Sequence, residues 1–455
     1  MVFFLPFSGH ALTSQTTRNA IQGSAPYLTF DGGRTRAVDT NGLLGITLSN
    51  GANYTPSTNP SSSSRPIVLP VEGQSFADIR MFVPTDTNSV ALSSLIGPPN
   101  NYWGDDDGDA DVTATGSLSL SIVDKNNQSV SRNSVLTICN SPYKVTLSSS
   151  NGTLSTRYGF PNRSTFSASD VTYYVNPKAS PVVCFARPNL RFGKRGDWPS
   201  YPSWDFAGPS SMWDPANGFI PQSTGPSSYG RNFPTTGANG LYFDLDIGGR
   251  SQPLSWSPVS HGGITATMSN STATSVRVTL TGPYATPSQI SSANPGPLST
   301  ISLPQTFELV GRDSNGAPVV KYGFTLKQWF VNTGSVQKTY PQALSWCNSI
   351  GYRLPKVKDL TNASCPNNDS NCRGSVGATP SSSNNHYMRH IDAGLFTEWG
   401  RMDTYSGVGF THDYHWTSDP DGSNQFVVRA NNGDVSWYYT YISTFISTYV
   451  LCTHP

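Results

Sequence analysis

Charge is what this chain has least of. Asp, Glu, Lys and Arg make up 13% of its 455 residues, about half the roughly 25% of an average soluble protein. The 29 basic and 28 acidic side chains leave a formal net charge of +1. That balance argues against a nucleic-acid surface or a polybasic membrane patch, both of which need an excess of Lys and Arg. No Cys-x-x-Cys spacing occurs, so the cysteines indicate neither zinc nor a redox pair. No Gly-x-Ser-x-Gly elbow, His-Glu-x-x-His helix or Walker loop occurs either, which removes the commonest enzyme signatures. No apolar run reaches the roughly 18 residues that a membrane helix needs. Residues 435–452 are uncharged, but Ser, Thr and Tyr interrupt them, and a β-hairpin is expected there. The chain is therefore expected to carry no anchor of its own.

Gly, Pro, Ser, Thr and Asn fill the place of charge, a surface chemistry suited to β-rich extracellular proteins. The apolar fraction is 36%, and 21 Tyr and 10 Trp need packing partners, so the chain is not disordered. Its length fits roughly two to four domains. The start, Met1-Val2-Phe3-Phe4-Leu5-Pro6-Phe7-Ser8-Gly9-His10-Ala11, is a short apolar run ending in small residues. It reads as the remnant of a secretory signal peptide, residues 1–11, cleaved after Ala11. Export makes disulfides the expected state of the cysteines.

From Ala25 to Asn101 strand-like patches alternate with turns. Residues 27–30 run into Asp31-Gly32-Gly33, and residues 43–48 into Asn50-Gly51. Leu118, Leu120 and Ile122 alternate with serine before a turn at 124–127. Short strands at 145–147, 171–175 and 182–185 continue the spacing of an immunoglobulin-like sandwich. Residues 190–240 scatter Trp198, Trp204, Trp213, Phe219 and Phe233 among Pro, Gly and Ser. That is too aromatic for a flexible linker, and a packed irregular connection is expected. Strands resume at 241–247, 276–280 and 307–310. Residues 143–160 and 307–324 align without gaps, each with Ser-Asn-Gly between apolar runs. This reads as two related β units, or as one common hairpin turn used twice.

Near the end, Ala343, Trp346, Cys347 and Ile350 recur at i, i+3, i+4 and i+7, predicting an amphipathic helix stopped by Gly351 and Pro355. The last residues are β-branched and aromatic and read as a buried strand. The helix cysteine, the following Gly351-Tyr352-Arg353-Leu354-Pro355, Trp416-Thr417-Ser418 and the final Val450-Leu451-Cys452 resemble the C-type lectin-like domain over residues 319–455. The resemblance implies a Cys347–Cys452 bridge around a long irregular middle, with Cys365–Cys372 as a local bridge. Cys139–Cys184 is then favoured as the third pair, since each bridge stays within one module. The long loops would each contribute very roughly 4 kcal/mol on the chain-entropy model. The Glu-Pro-Asn, Gln-Pro-Asp and Trp-Asn-Asp triplets of sugar-binding members do not occur, so calcium-dependent sugar binding is not implied.

Two β modules capped by such a head resemble the tips of intimin- and invasin-type bacterial adhesins. Ser24-Ala25-Pro26-Tyr27-Leu28-Thr29-Phe30-Asp31-Gly32-Gly33 and Tyr102-Trp103-Gly104-Asp105-Asp106-Asp107-Gly108 are similar to the enterobacterial adhesion domain family, over most of residues 12–330. The resemblance implies a secreted or surface adhesin. Its C-terminal head would bind a host-cell protein or glycan, with no nucleic acid involved. The barrel and peptidoglycan-binding segment that precede intimin and invasin tips are not in the sequence. An alternative is therefore a secreted virulence-modulating effector that docks on an outer-membrane β-barrel partner.

Asp105, Asp107, Asp109 and Asp111 alternate around Gly108, a pattern of oxygen ligands that suits a structural calcium ion; a solvated acidic loop is the plainer reading. Five of the seven histidines fall in the tail: His386, His390, His412, His415 and His454. Converged, they would suit zinc, although the local sequence is loop-like. Tyr387, Trp399, Trp416, Trp437, Tyr438, Tyr439 and Tyr441 crowd the tail with Arg389, Arg401 and Asp403. Aromatics with arginine suit a ligand-binding face, while strand alternation places about half of them inside. Formylglycine-generating enzymes share the lectin-like topology and the Gly-x-Arg-Leu-Pro text. Their chemistry uses copper and a pair of reactive cysteines near the end of the fold, where only Cys452 stands here. A secreted glycan-active hydrolase is the remaining enzymatic alternative, since a carboxylate pair cannot be read from sequence. The expected protein is mainly β and non-enzymatic, with no required cofactor. Two immunoglobulin-like β-sandwich modules, residues 12–190 and 191–318, precede a C-type lectin-like (α+β) domain, residues 319–455.

Overall fold

The computed structural model describes residues 23–108, 111–366, 369–439 and 446–455. The chain is mainly β and divides into two compact units, Met1–Ala179 and Ser180–Pro455. The signal-peptide segment, Asp109 and Tyr441 lie outside the described residues.

In the first unit a five-stranded sheet runs in the order Ile67–Val68, Ser169–Asn176, Tyr143–Ser149, Ser117–Val123, Ser89–Ala91. A three-stranded sheet holds Arg163–Phe166, Gly152–Ser155 and Thr113–Thr115. Leu118, Leu120 and Ile122 face the core while the intervening serines are exposed, as their alternation required. Asp124 closes the expected turn, its carboxylate accepting the Asn126 N–H at 2.8 Å and the Gln128 N–H at 2.9 Å. The strand expected at 43–48 is corrected. Asp39 caps a short helix, Thr40–Leu43, by accepting the Gly42 N–H, and only Ile46–Thr47 is extended.

The internal echo separates into two different structures. Gln305–Arg312 and Pro318–Leu326 are an antiparallel hairpin, and Gly316 sits in its turn at φ +78°, where a side chain would be strained. Tyr143–Ser149 and Gly152–Ser155 belong to different sheets, so Ser150-Asn151-Gly152 is a crossing between layers. Glycine is needed there for another reason: a Cβ on Gly152 would lie 2.3 Å from the Thr115 carbonyl oxygen.

The second unit is built on three sheets. Seven strands run Trp213–Asp214, Gly218–Phe219, Val182–Arg187, Tyr242–Gly248, Ser275–Thr281, Ile264–Ser269, Val259–His261; three more are Ser255–Trp256, Gln305–Arg312 and Pro318–Leu326. The tail's six-stranded sheet is ordered Thr236–Ala238, Gln328–Lys338, Thr448–His454, Tyr414–Asp421, Asn424–Arg429, Val435–Tyr439. One apolar core extends from Ala186 to Cys452. The expected boundaries therefore move. The strand carrying Cys184 belongs to the second unit, and a cut at 318/319 falls inside Pro318–Leu326. Thr236–Ala238 lies parallel to Gln328–Lys338 in the tail's sheet, far from it in sequence. The hairpin expected over 435–452 is also corrected, because two strands separate Val435–Tyr439 from Thr448–His454.

Helix Tyr340–Ser349 buries Ala343, Trp346 and Cys347, and Gly351 ends it at φ +83°. The Thr339 N–H donates to Gln342 Oε1 at 3.0 Å, anchoring the start. Cys347 is bonded to Cys452 with Cα atoms 5.5 Å apart, and Cys365 to Cys372 at 5.4 Å. Among the described residues no cysteine is free. The Trp-Thr-Ser and Leu-Pro motifs meet: the Ser418 N–H donates to the Pro355 carbonyl at 2.8 Å. Thr417 turns its hydroxyl to the Phe426 carbonyl at 2.7 Å.

The Cys347–Cys452 bridge spans 105 residues. A C347S/C452S double variant should lose about 4 kcal/mol of unfolding free energy in denaturant titration followed by tryptophan fluorescence. A loss under about 1 kcal/mol would mean that the pairing of Gln328–Lys338 with Thr448–His454 holds the head without the covalent link.

Candidate functional site

Four of the eight residues expected on a binding face are core residues, and that part of the expectation is corrected. Tyr387, Arg389, Trp399 and Trp416 are fully buried. Their polar atoms are spent internally: Tyr387 donates to the Asn431 carbonyl, Trp399 to the Thr236 carbonyl and Trp416 to the Lys338 carbonyl. Buried aromatics with a satisfied polar tip contribute packing and fix register. Arg401 is half-buried and grips Asp403 through two nitrogens at 2.7 and 2.9 Å. Trp437 and Tyr438 are half-buried and Tyr439 is exposed.

Arg389 explains how the aromatic connection is held. Its guanidinium donates to the carbonyls of Asn189, Arg191, Phe192 and Glu398 and lies 4.7 Å from the Trp213 ring centre. Glu398, equally buried, accepts the backbone N–H groups of Thr235, Thr236 and Asp392 and both threonine hydroxyls. Burial pushes the Glu398 carboxyl above the usual carboxylate range, against these hydrogen bonds. Together the two side chains fasten residues 189–192 and 235–236 onto the tail.

A belt of neighbouring rings crosses the second unit, buried at Trp416 and half-buried or exposed at its other members. Tyr340 meets Trp416 at 5.6 Å, Trp416 meets Tyr438 at 5.9 Å, and Tyr438 meets Tyr414 at 5.7 Å. Arg429 lies 5.5 Å from the Tyr414 ring and 5.9 Å from that of Trp198, within cation–π range. Trp198 then meets Trp204 at 5.9 Å, and Trp204 stacks on Tyr201 at 4.6 Å with planes 14° apart. Strand register accounts for the tail's share. Tyr414 pairs with Arg429, Trp416 with Val427, and Tyr438 with Gln425, which sets these side chains on one face. Tyr201 is 51% exposed; Trp198, Trp204, Tyr414, Arg429 and Tyr438 are half-buried. Arg429 Nε, within the belt, and Asp434 Oδ1 are buried with no hydrogen-bond partner among the described residues. Burial raises the Asp434 carboxyl, although Tyr414 donates to it at 2.7 Å.

In the sequence Trp198 and Trp204 belong to a packed connection, and no local pattern marks Tyr201 or Arg429. The density of Trp among Pro and Gly over 190–220 was the available signal. Their distant partners, Arg429 for Trp198 and His386 for Trp204, leave no trace in a single sequence.

The described acidic residues have local roles. Asp106 pairs with Arg36 at 2.7 Å and accepts from Tyr27 at 3.2 Å. Asp111 pairs with Arg157 at 3.2 Å, and Asp105 accepts the Asp107 N–H at 2.9 Å. Among the described residues no group of three or more His, Cys, Asp or Glu is arranged to hold a metal ion. The tail histidines do not converge. His386 packs on Trp204 and Phe206, His390 faces the Ile391 carbonyl, and His415 lies between Phe396 and Tyr449.

No family model and no curated protein matches the chain. Among solved structures it is similar to invasin, a bacterial integrin-binding protein, with 13% identity and a TM-score of 0.35 over 78% of this chain. The chain spans 53% of that invasin structure. It is also similar to the C-terminal 282-residue fragment of intimin, solved with the intimin-binding domain of the translocated intimin receptor. There the identity is 10% and the TM-score 0.31, over 76% of this chain and 100% of the fragment. An intimin mutant of EHEC O157:H7 has 12% identity and a TM-score of 0.26, over 49% of this chain and 89% of that one.

Burial holds the His415 imidazole down at about 4, from an ordinary 6.5. It is neutral in the fold and must charge on unfolding in acid. Its contribution is therefore complete above pH 6.5 and falls away as pH drops to about 4, by roughly 3 kcal/mol. Denaturant unfolding across that window should show the loss, and H415Q should flatten it. A wild-type curve without slope there would refute the buried, neutral assignment.

Proposed function

We propose that this chain is an exported, non-enzymatic adhesin. It binds a host-cell protein or glycan through the belt formed by Tyr201, Trp198, Trp204, Arg429, Tyr414 and Tyr438. The observation that carries the reading is the continuity of the belt. Rings and a guanidinium from segments far apart in sequence form one chain of contacts, on a scaffold held by disulfides and buried polar clamps. Tyr, Trp and Arg are the side chains that concentrate binding energy, because they bring large area with few freely rotating bonds. The fully oxidised cysteines fit an extracellular or cell-surface location. Low surface charge suits recognition by shape and stacking more than by long-range attraction. The intimin and invasin resemblance of the sequence supports the same reading.

The full chain is the right reagent, since residues 319–455 share their core with the preceding sheets. Fluorescently labelled protein should bind host epithelial cells saturably, and a Y201A/R429A variant should bind at least about tenfold more weakly with its melting temperature unchanged. Equal binding by wild type and variant would remove the belt from the mechanism. Retention on bacterial outer membranes instead of host cells would favour the effector that docks on a barrel partner.

A further inference from the structure

A second candidate site lies in the first unit and shares no residue with the belt. Three arginines, Arg34, Arg36 and Arg80, open onto one cleft of about 570 Å³, whose lining also includes Asp31, Thr35, Ser49 and Asn53. That size is within the usual range of ligand pockets. All three arginines are exposed. Arg36 is fixed, paired with Asp106 at 2.7 Å and lying 4.2 Å from the Tyr27 ring centre. The guanidinium groups of Arg34 and Arg80 have no hydrogen-bond or ion-pair partner among the described residues.

The cleft is built in advance of any ligand. The turn bearing Arg34 is closed by Asp31, which accepts both the N–H and the hydroxyl of Thr35 at 2.7 Å. The Gly33 N–H donates to Thr29 at 2.8 Å. Arg80 is tied through its backbone to Thr47, each N–H donating to the other's carbonyl at 2.9 Å. Two free guanidinium forks on a tethered wall offer bidentate donors to planar or tetrahedral oxyanions. Hydroxyl and amide groups beside them match the hydroxyls of a sugar. Among the described residues no aromatic ring lines the cleft, so they offer no stacking platform of the kind on which unpaired bases are held.

We infer that this cleft binds a sulfated oligosaccharide, with Arg34 and Arg80 taking its sulfate groups. A chain of net charge +1 would then gain anionic glycan affinity from one local cluster. The inference does not depend on the aromatic belt.

The test is calorimetric titration of the full chain with a heparin-derived hexasaccharide, beside the same hexasaccharide after chemical desulfation. The wild type should bind the sulfated form with an affinity that falls as salt rises. R34Q/R80Q should bind at least about tenfold more weakly, and the desulfated sugar should show the same loss. R34K/R80K, which keeps charge but not the fork, should fall between. Both substituted positions are exposed, so the melting temperature should stay unchanged. Phosphatidylserine vesicles should be bound no better than phosphatidylcholine vesicles. The inference is overturned by equal affinity of wild type and R34Q/R80Q, by absence of binding to the sulfated sugar, or by vesicle binding without sugar binding.

Discussion

Two buried charges nine positions apart in sequence decide how the second unit is assembled. Arg389 and Glu398 are both fully enclosed, yet neither side chain answers the other. Arg389 spends its donors on carbonyls of residues 189–192 and on the Glu398 backbone. The Glu398 carboxylate collects donors from Thr235, Thr236 and Asp392. A buried charge without partners costs several kcal/mol, so each segment is held where its backbone dipoles are needed. The consequence is architectural. The irregular, tryptophan-rich connection becomes part of the tail's core, and the strand Thr236–Ala238 joins the tail's sheet. The belt exists only because this docking brings Trp198, Tyr201 and Trp204 beside Arg429.

The covalent frame is independent of that clamp. Cys347–Cys452 links the first helix of the tail to its last strand, and Gln328–Lys338 pairs with that strand from Trp329 to Lys338. A head fixed at both ends can carry a long irregular middle without losing position. That is the physical requirement for a display surface made mostly of loops.

Local patterns in the sequence were legible wherever one residue's neighbours decide its state. The helix over 340–349 followed from i, i+3, i+4 spacing and a glycine stop, and strand Ser117–Val123 from strict alternation. Errors came where distant partners decide. Ser150-Asn151-Gly152 has the chemistry of a hairpin turn, but its two arms pair with different strands and the glycine serves close backbone approach. Tyr387, Trp399 and Trp416 have the composition of a binding face, and burial assigns them to packing. Arg389 was expected on a binding face; carbonyls supplied by residues about two hundred positions earlier drew it inside.

By itself, then, the sequence determined a charge-poor, mainly β, disulfide-bonded chain with a helix-to-strand bridge closing its tail. The first three depend on composition or on short-range periodicity; the bridge is what the resemblance of the tail to the C-type lectin-like domain implied. Only the tertiary structure decided that the tail and the sheets before it share one core, and which aromatics face solvent. It also decided that three arginines of the first unit open onto one cleft. Those outcomes depend on which remote backbone groups satisfy a buried charge and on which strands become neighbours, and neither is written in the spacing of residues along a single chain.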